Sequence, residues 1–275
     1  MLSTQRFQGL TLKKNGAGVP LFPRILGLIE KTYRLAVDAE REAKDRSLVA
    51  YARNQMVEAV GEIATDAEFL RANPLGGGVM ARVSSWLDVR AGMEELAVAA
   101  CMIYGNVGRS DDVCIELVRD GLHKPLLRVV DDTAVAFEQS VRLARERKEE
   151  EKVGVSVEEA AAEKLLTGAM SVGIIHAAVG VLKNLAIPAE NKQRLVADGV
   201  FRAVERMLRM EGVGVGQVWY SAVSLGRLVV VNTSTWLQAL LRLSADRVRS
   251  RKRADPRRTL WVGRIALGRL PQVLR

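Results

Sequence analysis

Between residues 96 and 130 the apolar positions fall in three groups: a nearly continuous run ending at Asn106, a shorter one ending at Asp120-Gly121, and an amphipathic one opening at Leu122. The same order returns without a gap over residues 174–208, at an offset of 78, with Asn184 on Asn106 and Asp198-Gly199 on Asp120-Gly121. Apolar side chains at helical spacing predict three helices in each stretch. Gly121 and Gly199 fall where a helix must stop and turn sharply, in a backbone conformation that glycine adopts most easily.

Two weaker copies flank these. Gly61-Glu62-Ile63-Ala64 aligns with Gly105-Asn106-Val107-Gly108 at an offset of 44, which also sets Gly77 on Gly121. Leu225-Gly226-Arg227-Leu228 aligns with Leu182-Lys183-Asn184-Leu185 at an offset of 43. A unit of about 40 to 45 residues is the size of armadillo or HEAT repeats. Such a unit cannot bury its own apolar face, so units must stack. About 35 further residues separate the second and third copies; residues 131–173 hold 10 acidic and 6 basic side chains, and Ser156 with Glu159 forms a capping-box pattern. A charged helix carried on an insertion is the expectation there. Leu21 to Arg46 reads as one amphipathic helix that covers the first repeat.

The expected organisation is therefore a disordered N-terminus over 1–20, a capping helix over 21–48, repeats over 49–243 with a charged insertion at about 131–160, and a basic, disordered tail over 244–275. Charge supports the last boundary. The net +9 of the 275-residue chain is not spread evenly: residues 241–275 hold 11 basic and 2 acidic side chains, and the body before them is neutral. Binding to nucleic acid or anionic lipid is thus expected only through the tail.

Enzyme classes are excluded by inventory. There is no phosphate-binding loop, and Gly212-x-Gly214-x-Gly216 lacks the third spacing and the preceding strand of a dinucleotide fingerprint. Two histidines and two cysteines, Cys101 and Cys114 lying in runs that read as buried helix, supply neither a zinc quartet nor a nucleophile with its base. No metal and no cofactor are expected. The opening residues hold no apolar segment of the export type, so a cytoplasmic location is expected, with a nuclear pool as a second compartment.

The segments GNVGRSDDVCIELVRDG and LKNLAIPAENKQRLVADGV resemble armadillo repeats residue by residue. Asn106, Arg109, Asp111, Cys114 and Ile115, followed by the run from His176 to Lys192, most resemble the small-GTPase guanine-nucleotide dissociation stimulators, the SmgGDS-like proteins. The resemblance covers about residues 50 to 240. It implies an all-α, right-handed superhelical solenoid of about four repeats, where members of the family are similar to stacks of about ten or more. It also implies a noncatalytic protein that holds a small GTPase of the Rho or Ras type, with a polybasic or prenylated C-terminus, on its concave face and promotes GDP release or chaperones it. The alternative is a general armadillo adaptor or import-like protein binding an extended basic peptide.

In such a repeat the long third helix lines the concave face, where an Asn near its end can engage a partner's backbone through both carbonyl and amide. The expected row is Glu62, Asn106, Asn184 and Arg227, and a cationic partner segment should prefer its Glu62 end. Met102, His176, Trp219 and Tyr220 are the secondary groove candidates. The competing expectation for each Asn is that its amide serves a neighbouring repeat's backbone, since buried amides find local partners.

Overall fold

The structure is a computed structural model, and it describes residues 20–36, 43–66, 68–88, 94–150, 158–210 and 215–229. The chain divides into two units, Met1–Val229 and Val230–Arg275, and every described residue belongs to the first. The expected tail, and the expected N-terminus except for Pro20, lie outside the described residues.

Among the described residues the regular elements are all α-helices: α1 (Leu21–Ala36), α2 (Ala43–Ile63), α3 (Phe69–Ala72), α4 (Gly78–Ser85), α5 (Glu94–Val107), α6 (Asp111–Arg119), α7 (His123–Glu150), α8 (Glu158–Leu185), α9 (Ala189–Ala197), α10 (Val200–Arg209) and α11 (Val215–Val229). Four of them form a layer in which α2 packs on α5, α5 on α8, and α8 on α11. Helix α7 packs on α8 and α10, α6 on α8 and α9, and both α9 and α10 on α11.

Local sequence explains the helix boundaries. Ser110 caps α6, its hydroxyl accepting from the Val113 amide at 3.4 Å, and Asp111 and Asp112 place negative charge in the first turn. The same helix ends through Gly121 at φ 86°, with the Leu122 amide donating to the Leu117 carbonyl at 3.0 Å. Gly199 ends α9 in the same way at φ 100°. Both turns need the left-handed region, as the Asp-Gly pairs predict. Gly77 does not share it. At φ −81° it is the extended residue before α4, so the weaker alignment with Gly121 does not extend to backbone conformation.

The N-terminal helix differs from expectation. Instead of one helix from Leu21 to Arg46, α1 ends at Ala36 and α2 begins at Ala43. The reversal is demanded by tertiary contact: the Arg53 guanidinium lies 4.3 Å from the centroid of the Tyr33 ring, which a single straight helix would hold about 30 Å apart. Glu95 of α5 completes this corner, accepting from the Arg53 guanidinium at 2.6 Å and from the Tyr33 hydroxyl at 3.0 Å. Along the same face α1 buries Phe22, Leu26 and Ile29, with Phe22 edge-on to Phe69 at 5.0 Å. Glu30 accepts both Arg82 nitrogens at 2.7 Å and the Trp86 indole at 2.9 Å.

The charged insertion at about 131–160 falls on the C-terminal part of α7 and the start of α8, with residues 151–157 outside the described set. Its helices continue the packed ones without a break: α7 runs 28 residues and α8 another 28, and the two lie against each other. Helix α8 runs through Gly168 and on to Leu185.

One buried polar pair joins α7 to the end of α9. His123 is fully buried and its Nε2 lies 2.6 Å from Asp198 Oδ2, so the ring nitrogen donates to the carboxylate. That hydrogen bond, assisted by the positive charge of Lys124 and Arg194, holds the Asp198 carboxyl below the usual aspartate range. A carboxyl depressed in the folded state stabilises the fold above the unfolded-state value, about pH 4, and that contribution is lost as the pH falls through the folded value. Asp198→Asn should therefore be less stable than the parent at pH 7 and lose less on going from pH 4 to pH 2. Thermal melts followed by circular dichroism check this; parallel acid profiles would refute it.

Candidate functional site

Helices α2, α5, α8 and α11 carry the expected site residues. Helix α8 is buried on all sides but one over its C-terminal half: Ile174, Ile175, Val179, Val181, Leu182 and Leu185 are interior, whereas Gly173, His176, Gly180, Lys183 and Asn184 follow one exposed or half-exposed stripe. Helix α5 has the matching stripe in Val98, Met102, Gly105 and Asn106, and α11 has Gly216, Tyr220, Val223 and Arg227. Steps of three and four residues set these along one side of each helix.

Glu62, Asn106, Asn184 and Arg227 stand at the C-terminal ends of the four helices. The last carbonyls of a helix have no intrahelical donor, and two of them decide what the asparagines do. The Thr65 amide, which would reach Gly61 in a continuing helix, turns to Glu62 O at 3.0 Å, and Asn106 Nδ2 of α5 donates to the Gly61 carbonyl at 2.8 Å instead. One helix further along, the Arg109 amide turns to Val107 O at 2.9 Å, and Asn184 Nδ2 of α8 donates to Gly105 O at 3.2 Å. Each asparagine amide thus closes the end of the preceding helix in the layer. Asn106 Oδ1 accepts from Arg109 at 3.0 Å, and Asn184 Oδ1 accepts no hydrogen bond from a described residue.

The arrangement ends at α8. There the Ala186 amide donates to both Leu182 O and Lys183 O, at 3.0 and 3.2 Å, so the Lys183 carbonyl needs nothing from α11. Arg227 is exposed and forms no ion pair among the described residues.

The secondary candidates differ in surroundings. Met102 is 39% exposed and lies across α2, such that a Cβ on Gly61 would stand 3.2 Å from Met102 Cε. His176 is exposed, and its Nδ1 is 3.1 Å from Ser221 Oγ, tying α8 to α11. Trp219 is half-buried and meets Tyr220 edge-to-face at 5.5 Å, whereas Tyr220 is 55% exposed. Cys101 and Cys114 are free and buried, and burial pushes the Cys101 thiol up to about 12, away from thiolate chemistry at neutral pH.

Asn191 was not among the expected site residues, although it lies in the segment that carries the family resemblance. It is buried, and its Nδ2 donates to Cys114 O at 3.0 Å and Leu185 O at 2.9 Å, joining α9 to α6 and α8. The Pro188-x-x-Asn191 run marks a helix start, but no local pattern reveals the distant acceptor on α6.

Among the described residues no helix is long and apolar enough to cross a membrane. No protein-family model matches the chain. Over 135 residues, 49% of this chain, it is 28% identical to Rap1 GTPase-GDP dissociation stimulator 1-A of Xenopus laevis. The chain spans only 16% of that relative's length. What it has in common with a protein named for stimulating GDP dissociation from a GTPase is a distant and partial likeness over about half of its own residues.

Proposed function

We propose that this chain is a noncatalytic, armadillo-type binding protein that holds a small GTPase of the Rho or Ras type on the α2–α5–α8–α11 face and promotes GDP release or chaperones the GTPase. The observation that carries the reading is the 135-residue likeness to a GTPase dissociation stimulator. The layer supports it by offering the exposed stripes of α5, α8 and α11 side by side, with Met102, His176 and Tyr220 open to a partner. A GTPase with a polybasic C-terminus would set that segment toward Glu62, the anionic end of the row.

Release of nucleotide needs no catalytic group. It follows if the protein binds the nucleotide-free GTPase more tightly than the GDP-bound form, because linkage makes the two bindings mutually unfavourable. Titration of purified Rho- and Ras-type GTPases, with and without GDP, tests this. The expected result is at least tenfold tighter binding without nucleotide, together with faster GDP release. Equal affinities would reduce the role to chaperoning, and binding to none of the panel would refute the reading. Tighter binding of a lysine-rich extended peptide than of any GTPase would favour the adaptor alternative.

A further inference from the structure

At the step from α2 to α5, the side chain one turn before Asn106 is Met102, and it covers Gly61. At the next step Asn184 makes the same crossing to Gly105, but one turn before it stands Gly180. A Cβ built there would meet nothing within 4 Å. The backbone does not require glycine at this point, because the positive-φ glycines are Gly121 and Gly199, and a mid-helix glycine is less favourable than almost any other residue. The stripe of α8 therefore has an open step at Gly180, where the neighbouring step is filled by a methionine.

Three cations stand toward one end of this stripe. Arg109, Lys183 and Arg227 lie at or just beyond the ends of α5, α8 and α11, and none forms an ion pair among the described residues, unlike Arg53, Arg82 and Arg206, which all face carboxylates. Packed helices lie roughly 9 Å apart, close to the rise of three residues of extended chain. The anion of the row, Glu62, lies beyond Met102 on α2.

We infer that the α5–α8–α11 part of the face docks an acidic segment of a partner protein, seating one Met- or Leu-sized side chain over Gly180 and carboxylates at three-residue spacing along Arg109, Lys183 and Arg227. The inference rests on this face being the docking face of the proposed function and adds a second chemistry to it. A basic segment belongs at Glu62, and an acidic, apolar-anchored one belongs here.

The probe is a fluorescent twelve-residue peptide with Asp at every third position and one Leu between the first two, measured by anisotropy against the full chain. Binding should be at least tenfold tighter than for the same peptide with Lys for Asp, or with Gly for Leu. Gly180→Met should weaken it at least tenfold without lowering the melting temperature, by supplying the side chain that this step of the stripe lacks. Arg227→Glu, at an exposed position, should weaken it likewise and decides the matter if Gly180→Met disturbs the fold. Unchanged binding by a folded Gly180→Met, equal binding of the Lys peptide, or no binding of the Asp peptide would overturn the inference. Acidic-peptide binding by a protein that binds no GTPase would refute the proposed function alone; GTPase binding insensitive to both substitutions would refute this inference alone.

Discussion

Leu182→Ala is expected to lower stability by about 3 kcal/mol, the middle of the range for removing a fully buried leucine side chain. Leu182 has no exposed surface and lies in α8, the helix that packs against α5, α6, α7 and α11. The loss has two parts: the transfer free energy of the deleted carbons, and the contacts forfeited around a gap that close-packed neighbours fill only in part. For a folded unit of this size the melting temperature should fall by roughly 6 to 12 °C. Tyr220→Ala, on the exposed face of α11, should move it by less than about 2 °C. Calorimetry on the two variants checks both, and equal shifts would mean that α8 is not the centre of the packing.

Asn191→Leu is expected to lower stability by about 2 kcal/mol. The amide serves two carbonyls on two other helices, and leucine, of similar size, leaves Leu185 O at the end of α8 buried without that donor. Asn191→Asp should cost more, since a carboxylate would face two carbonyl oxygens. Chemical denaturation of the three proteins should rank them parent, Leu, Asp in falling midpoint. An Asp variant as stable as the parent would refute the donor role.

Much of this could be read from residue order, and what could not has a common cause. The ends of α5, α6, α8 and α9 follow from apolar spacing, the Ser110 cap and the two Asp-Gly turns, all of which act within a few residues. The positions of Asn106 and Asn184 in a row were likewise apparent from the 78-residue offset. Their acceptors were not, because Gly61 O and Gly105 O become available only when the local turns divert Thr65 and Arg109. Pairs such as Glu30 with Arg82, or Arg53 with Glu95, join charged residues 52 and 42 positions apart with no periodic signature. The reversal between α1 and α2 escaped for that reason: the amphipathic pattern of Leu21 to Arg46 allows a helix, and only the Tyr33–Arg53 contact obliges the chain to fold back.

The different endings of α5 and α8 make the layer asymmetric in what it asks of its neighbours. Helix α5 depends on the helix that follows it, because without Asn184 its Gly105 carbonyl is left to solvent. Helix α8 tightens its own last turn around Lys183 O and takes the donor for Leu185 O from Asn191 of α9, so in this series it asks nothing of α11. A break in the layer after α8 would therefore strand no carbonyl, whereas a break after α5 would. Among the described residues, helix α11 is the one member of the layer that could be exchanged, shifted or peeled back without opening a hydrogen bond of this series, since Arg227 donates to no carbonyl of α8.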